Sequence, residues 1–227
     1  MIDSVRSTVL SAVNKNNFGY ITPDDFNLFA KQAQIDIFED YFYQYNTWIN
    51  KMNNRQSGTG YADMVKLAEE VIDSFSSTST LAYASSKFTL PSDYYYVNTI
   101  RYGSKEIDRL SHDKVLNLLA SNLTSPSTLY PAYTQEGDYI TVYPSTIITN
   151  VKSQYIRIPK DPKWTYIMVN GAPIFNQNND YQDFELPLTD EPLLVAKILK
   201  YAGLSIREAD VYQFGNVEQT NNKQIQG

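Results

Sequence analysis

The dominant feature of the sequence is a long amphipathic helix that begins at Pro23. Thr22 supplies an N-cap, Pro23 fits the first helical position, and Asp24-Asp25 faces the positive end of the helix dipole. Apolar residues then recur at steps of three and four until Ser57-Gly58: Phe26, Ala30, Ala33, Ile37, Tyr41, Tyr45, Trp48 and Met52. A helix of about 30 residues is about 45 Å long, which is also about the diameter of a compact chain of this size. The rest of the fold must therefore pack along this helix.

The apolar stripe of this helix is rich in aromatic side chains. Together they offer more apolar surface than one neighbouring helix can cover. Two interpretations follow: the stripe lies entirely in the core of one chain, or part of it also contacts a second subunit. For the second interpretation we assign a candidate subunit interface to four residues of the stripe: Phe38, Phe42, Tyr45 and Trp48.

Shorter helices are predicted on both sides of a region with a different pattern. Residues 3–13 and 60–75 carry apolar residues at helical spacing, and Thr189-Asp190-Glu191-Pro192 repeats the pattern of cap, acids and proline before a last helix. From Phe88 to Leu186 the apolar period shifts to two, which is typical of strands. A short helix from the N-cap Ser111 to Ala120 interrupts the predicted strands, which are Tyr94–Tyr102, Tyr133–Gln135, Tyr139–Tyr143, Gln154–Ile158, Thr165–Val169 and Tyr181–Leu186.

These elements predict an α+β fold, in which N- and C-terminal helices form a bundle and an antiparallel β domain is inserted between them. We expect a helical domain of residues 1–80 and 187–214, and an inserted β domain of residues 81–186 that includes the short helix. Residues 215–227 are rich in Asn and Gln, and they are predicted to form a flexible tail that becomes ordered only against a partner.

Composition excludes several classes of chemistry. The 227 residues include no cysteine and one histidine, which excludes disulfides, thiolate catalysis and nearly every zinc, iron–sulfur or haem site. The net charge of −6 disfavours sequence-specific DNA binding. No stretch has the roughly 18 apolar residues that a membrane span needs, and we expect no secretory signal in the first ten residues.

No catalytic, cofactor-binding or metal-binding residue is assigned, and we expect a protein that is not an enzyme. Ser111-His112-Asp113 contains the residue types of a catalytic triad, but adjacent residues at a helix start point apart. The paired acids Asp24-Asp25 and Asp190-Glu191 lie at helix starts, where the dipole accounts for them. The least favoured alternative is a hydrolase that uses scattered carboxylates: Asp138, Asp180 and Glu185.

A run of tyrosines supports another alternative. Tyr94, Tyr95 and Tyr96 fall on a predicted strand, where Tyr94 and Tyr96 share one face. Trp164 and Tyr166 would extend such an aromatic platform, on which a sugar ring can stack. The alternative function is therefore a tyrosine-rich carbohydrate-binding module for attachment to host glycans.

Two segments of the β region carry a resemblance to a known family. The first is Leu90-Pro91-Ser92-Asp93-Tyr94-Tyr95-Tyr96-Val97, followed by a strand and Gly103, and the second runs from Tyr130-Pro131 to Tyr143-Pro144. With helices before and after them, they resemble the head-to-tail adaptor proteins of short-tailed phages, of the tail tubular or gatekeeper type, and most of all the neck ring proteins of crAss-like phages. The arginine usual after the aromatic start of that β domain is replaced by tyrosines, so no contact residue is carried over from that position.

The resemblance implies a structural virion protein of the phage neck, assembled in the host cytoplasm. It implies a homo-oligomeric ring of about 12 subunits that joins the portal protein to other neck and tail rings. Double-stranded DNA would pass through the lumen without sequence recognition, and a lumen lined by an acidic protein would let it slide. On this basis four residues near the end of the chain are expected to contact a neighbouring ring: Arg207, Tyr212, Phe214 and Gln219.

Overall fold

The computed structural model describes residues 1–14, 21–53, 61–121 and 123–206. Within these ranges the helices are α1 (Ile2–Asn14), α2 (Pro23–Asn53), α3 (Tyr61–Ser74), α4 (His112–Leu119) and α5 (Glu191–Ile206), with a short 3₁₀-helix at Leu188–Asp190. The strands are β1 (Ser76–Thr80), β2 (Ala82–Ala84), β3 (Lys87–Thr89), β4 (Tyr94–Tyr102), β5 (Lys105–Glu106), β6 (Asp108–Arg109), β7 (Ala132–Glu136), β8 (Tyr139–Tyr143), β9 (Val151–Arg157), β10 (Tyr166–Val169) and β11 (Ala172–Phe175). The fold is α+β, which confirms the predicted class.

The chain divides into two compact units. Unit 1 consists of Met1–Val71 and Pro159–Gly227, and unit 2 consists of Ile72–Ile158. The sequence places these boundaries at residues 81 and 186 instead. The hairpin of β10 and β11, which the sequence assigns to the β insertion, therefore belongs to the same unit as the long helix.

Unit 1 is built on α2, α1 and α5. The predicted N-cap of α2 is confirmed, because the backbone N–H of Asp25 donates to Oγ1 of Thr22 at 3.2 Å. α5 packs against both α1 and α2. The apolar stripes of the three helices are buried together in the core of this unit: Val5, Val9, Phe26, Ala30, Ile37, Leu194, Ile198 and Ala202.

Unit 2 contains two sheets around one apolar core. Their strand orders are β1-β9-β4-β5 and β2-β3-β8-β7-β6, and the pairing is antiparallel except between β6 and β7. Gly137 has a φ of +57° in the two-residue turn between β7 and β8, which a side chain at that position would disfavour. The core is formed by side chains of both sheets and their connections: Leu81, Phe88, Leu90, Val97, Ile100, Ile107, Tyr133, Ile140, Val142, Ile147 and Val151.

Two segments differ from the sequence prediction. The Ser/Thr-rich stretch that follows α3 is not among the predicted strands, yet its first residues form β1 and pair with β9. The predicted strand Tyr181–Leu186 is wrong, because within it only Gln182 forms a bridge, with Lys163. The physical reason is that backbone N–H groups in this segment donate to side chains rather than to a neighbouring strand: those of Phe184 and Glu185 reach Asp183 and Gln34.

Asp183 links this segment to the start of α1, and it predicts a loss of stability in acid. Its Oδ1 accepts the backbone N–H groups of Ile2 and Phe184, each at 2.8 Å, and its Oδ2 lies 3.1 Å from the amino group of Met1. Burial alone would raise the pKa of Asp183, but these donors outweigh it and hold the pKa below its usual value. The ionised carboxylate therefore stabilises the fold above the usual pKa of an aspartate, and this contribution disappears as the pH falls through the lowered pKa.

We expect Asp183→Asn to lower the free energy of unfolding by about 1 kcal/mol at pH 7, a modest figure because the side chain is partly exposed. Urea titrations at pH 7 and at pH 3 measure the effect. The difference in the free energy of unfolding between the natural chain and Asp183→Asn should be smaller at pH 3 than at pH 7. An equal difference at the two pH values would contradict the conclusion that the ionised carboxylate of Asp183 stabilises the fold.

Candidate assembly interface

The hairpin of β10 and β11 exposes apolar side chains of unit 1. Its strands pair as far as Val169 and Ala172, and Asn170 and Gly171 form a two-residue turn with positive φ at both positions. Four apolar side chains of the hairpin are between 39% and 61% exposed, and we call them the hairpin surface: Ile167, Met168, Val169 and Ile174. Ile167, Val169 and Ile174 share one face of the hairpin and Met168 lies on the other, so exposed apolar side chains surround its tip. Exposed apolar side chains concentrated in this way indicate contact with another molecule.

The base of the hairpin is held by Trp164, which is only 2% exposed. Its ring stacks on Tyr166 and Phe175, with centroid distances of 5.5 and 6.0 Å. Its Nε1–H donates to Oδ1 of Asp3 at 2.9 Å, and the guanidinium of Arg6 lies 3.8 Å from the ring centroid. Because its base is fixed by so many contacts, the hairpin is held in one orientation relative to the rest of unit 1.

Two amide side chains of α2 anchor the backbone on either side of the hairpin. Nδ2 of Asn27 donates to the carbonyl of Trp164 at 3.2 Å, and its Oδ1 accepts the N–H of the same residue at 2.8 Å. Nε2 of the buried Gln34 donates to the carbonyl of Lys160, and its Oε1 accepts the N–H of Glu185. Neither amide was predicted from the sequence as a functional or structural residue. The sequence feature that could have identified them is their spacing of seven residues, which places both side chains on one face of the helix.

A second exposed apolar surface lies in unit 2, on α4 and the loop that follows it. Leu116 and Leu119 on α4 are exposed beside the buried Val115, and the N–H of Ser121 donates to the carbonyl of Leu118 where the helix ends and the loop begins. Five apolar side chains of this segment are between 44% and 94% exposed, and we call them the α4–loop surface: Leu116, Leu119, Leu123, Leu129 and Tyr130. The concentration of exposed large apolar side chains in this segment makes it a second candidate contact site.

The aromatic stripe of α2 is divided between core and surface. Phe38 is 2% exposed and packs edge-on against Phe42, with ring centroids 5.0 Å apart. Phe38 has no free surface in this conformation, so its assignment to a subunit interface is corrected to a core position. Phe42 and Tyr45 are half-buried, and the side chain of Trp48 lies outside the described residues. The assignment of these three to an interface stays a prediction.

The other predicted contact residues lie beyond the described part of α5. Arg207, Tyr212, Phe214 and Gln219 are all outside the described residues, as is the predicted tail 215–227. Their role at a neighbouring ring stays a prediction.

Charged side chains lie buried between α2 and α5. The amine of Lys197, which is 4% exposed, lies 3.1 Å from Oδ2 of Asp40 and 3.8 Å from Oδ2 of Asp36. Asp190, which the sequence explains by the helix dipole, is buried and accepts a hydrogen bond from the hydroxyl of Tyr41 at 2.7 Å. Burial raises the pKa of Asp190, although the bond from Tyr41 opposes this shift. Lys197 therefore links α5 to α2, and Asp190 links the 3₁₀-helix before α5 to α2.

The tyrosine run does not form the aromatic platform that the sequence suggests. A bulge between Tyr94 and Tyr96 changes the register of β4, so Tyr94 packs against the core of unit 2 while Tyr96 is exposed. Trp164, the proposed extension, is buried under the hairpin of unit 1. The alternation expected for a regular strand is therefore corrected at this bulge.

An open groove of about 470 Å³ in unit 2 contains part of the Ser-His-Asp segment. Ser111 and His112 line it together with Arg109, Leu110, Thr134, Gln135 and Glu136. Nζ of Lys87 lies 2.6 Å from the carboxylate of Glu136, and this hydrogen bond lowers the pKa of Glu136. A carboxylate held in its ionised form is poorly suited to act as a general acid near neutral pH.

The other acids considered for a hydrolase each have a structural partner. Asp138 accepts a hydrogen bond from the hydroxyl of Tyr94 at 3.0 Å, and Asp180 lies 3.0 Å from the amine of Lys163. Glu185 accepts the backbone N–H of Lys160 at 2.8 Å. Asp138 belongs to unit 2, and the other two belong to unit 1.

Among the residues that the structure describes, no group of three or more His, Asp or Glu side chains could hold a metal ion. In the same part of the chain, no helix combines the length and apolar character required to cross a membrane. No protein-family model matches the chain, and no curated protein matches it in sequence.

Proposed function

We propose that this protein is a structural virion protein that forms an oligomeric ring of about 12 subunits in a phage neck. The ring would join the portal protein to the tail. The observation that carries the proposal is the hairpin surface, four exposed apolar side chains on a base that buried Trp164 fixes in place. A protein that presents such a surface on a rigid support is suited to permanent assembly with other subunits.

The distribution of charge supports the passage of DNA through such a ring. The segments of unit 1 contain 18 acidic and 12 basic residues, whereas unit 2 contains seven of each. The whole net charge of −6 is therefore carried by unit 1. If unit 1 faces the lumen, it repels the phosphate backbone, so that DNA moves through without being held.

The long helix supports the same proposal. α2 has 31 residues, which corresponds to about 46 Å. Asn27 and Gln34 connect it to the segments on both sides of the hairpin. A contact made at the hairpin would therefore be transmitted to the core of unit 1, which gives each subunit the stiffness that a ring wall needs.

Electron microscopy of the full chain at high concentration tests the proposal. We expect annular particles with an open centre wide enough for a DNA duplex, alone or after mixing with a purified portal protein. Compact particles of one or two copies under both conditions would contradict the proposal.

A further inference from the structure

We propose that the hairpin surface of one copy of this chain docks on the α4–loop surface of the next copy, so that the two surfaces are the two halves of one subunit interface. This inference rests on the proposed function, because it names the contact that would build the ring. Both halves are present on the same chain, one in each unit. A contact between two different surfaces of identical chains is heterologous, and repetition of such a contact generates rings when the rotation closes.

The apolar areas of the two surfaces add up to the apolar area of a standard interface. At roughly 200 Å² for each large apolar side chain, the exposed fractions correspond to roughly 400 Å² for the hairpin surface and roughly 650 Å² for the α4–loop surface. A standard interface buries about 1,600 Å² in total, of which about 900 Å² is apolar. The two surfaces together supply this apolar area. Two hairpin surfaces facing each other would supply only about 800 Å², and two α4–loop surfaces, at about 1,300 Å², would leave the hairpin surface uncovered.

Both surfaces lie in long stretches of the sequence that contain no charged residue. Residues 115–135 and 164–179 are the two longest stretches of the chain without Asp, Glu, Lys or Arg, with 21 and 16 residues. One of them contains all five residues of the α4–loop surface, and the other contains the whole hairpin surface. Interface centres are depleted in charged residues. Two uncharged surfaces can meet without leaving a buried charge that has no partner.

Disulfide trapping tests the inference directly, because the natural chain has no cysteine. Met168→Cys and Leu123→Cys are made as separate proteins, mixed in equal amounts and oxidised. The control pair replaces Met168→Cys with Leu188→Cys, which lies in the same unit and is 75% exposed. We expect at least about tenfold more mixed disulfide from the 168–123 pair than from the 188–123 pair. Equal yields of mixed disulfide from the two pairs would overturn the inference. It would also be overturned if the hairpin surface bound only a different virion protein, because no disulfide between copies of this chain would then form.

A chain that carries both Met168→Cys and Leu123→Cys gives the second readout. Oxidation should produce a ladder of covalent oligomers that ends at the number of subunits in the ring. Met168→Asp should raise the concentration needed for assembly roughly 30-fold, with an unchanged circular dichroism spectrum, whereas Leu188→Asp should change it little. An unchanged assembly concentration for Met168→Asp would count against the hairpin surface.

The outcomes separate this inference from the proposed function. Annular particles without a 168–123 link would leave the function supported and show that other surfaces build the ring. A 168–123 link in open chains that never close would support the interface and contradict the ring.

Discussion

Replacement of Trp164 by alanine is expected to lower the free energy of unfolding by about 3–5 kcal/mol. The side chain is almost completely buried, and its ring stacks on Tyr166 and Phe175. The substitution leaves a cavity at the base of the hairpin, and it also leaves the carboxylate of Asp3 without the indole N–H that donates to it. The hairpin should lose its fixed direction together with this stability.

Urea titration followed by circular dichroism measures the effect of Trp164→Ala. The matched control is Trp164→Phe, which fills most of the cavity and removes the hydrogen bond to Asp3, with an expected loss of about 1–3 kcal/mol. A loss below about 1 kcal/mol for Trp164→Ala would mean that the side chain is exposed in solution, and this would remove the rigid base on which the hairpin surface depends.

The second large effect is expected from Lys197→Met, at about 2–3 kcal/mol of lost stability. The amine lies between Asp36 and Asp40, and the hydroxyl of Tyr201 donates to the carboxylate of Asp36. Methionine retains the volume of the lysine stem but removes the positive charge. The two carboxylates then repel each other across the contact between α2 and α5. Their partial exposure to water keeps the loss below that of a fully buried pair.

The control for Lys197→Met is Lys31→Met. Lys31 makes a shorter ion pair, with its amine 2.7 Å from Asp161, but both side chains are largely exposed. Exposed pairs contribute less than about 1 kcal/mol because water and salt screen them. If burial rather than distance decides the contribution, Lys197→Met must cost more than Lys31→Met in the same thermal or urea titration. The reverse order would contradict the buried position of Lys197.

The helices and several strands of this fold could be predicted because their signals are local. Thr22 and Pro23 start α2, and the turn at Gly137 joins two strands of alternating pattern. β1 could not be predicted in this way, since its Ser/Thr sequence becomes a strand only by pairing with β9. The strand prediction for residues 181–186 was wrong for the opposite reason. Side chains such as that of Gln34 accept the backbone N–H groups that a strand would need for pairing.

The candidate interface was less predictable than the fold. The sequence identifies apolar residues but does not tell which of them a single chain buries. It placed Phe38 at an interface although the side chain lies in the core, and it treated Thr165–Val169 only as a strand. The long uncharged stretches were the available signal for the two exposed surfaces, and they acquire meaning only when the exposure of each side chain is known.

The measurement that tests the central claim most directly is the native mass of the full chain over a range of concentrations. A ring of 12 subunits of 26.0 kDa has a mass of about 310 kDa, and closure predicts that this species accumulates while intermediate masses stay rare. We expect this mass for the natural chain and its loss for Met168→Asp. A single species of 26.0 kDa at every concentration up to about 1 mM, with and without a portal protein, would contradict the claim that this protein builds a ring.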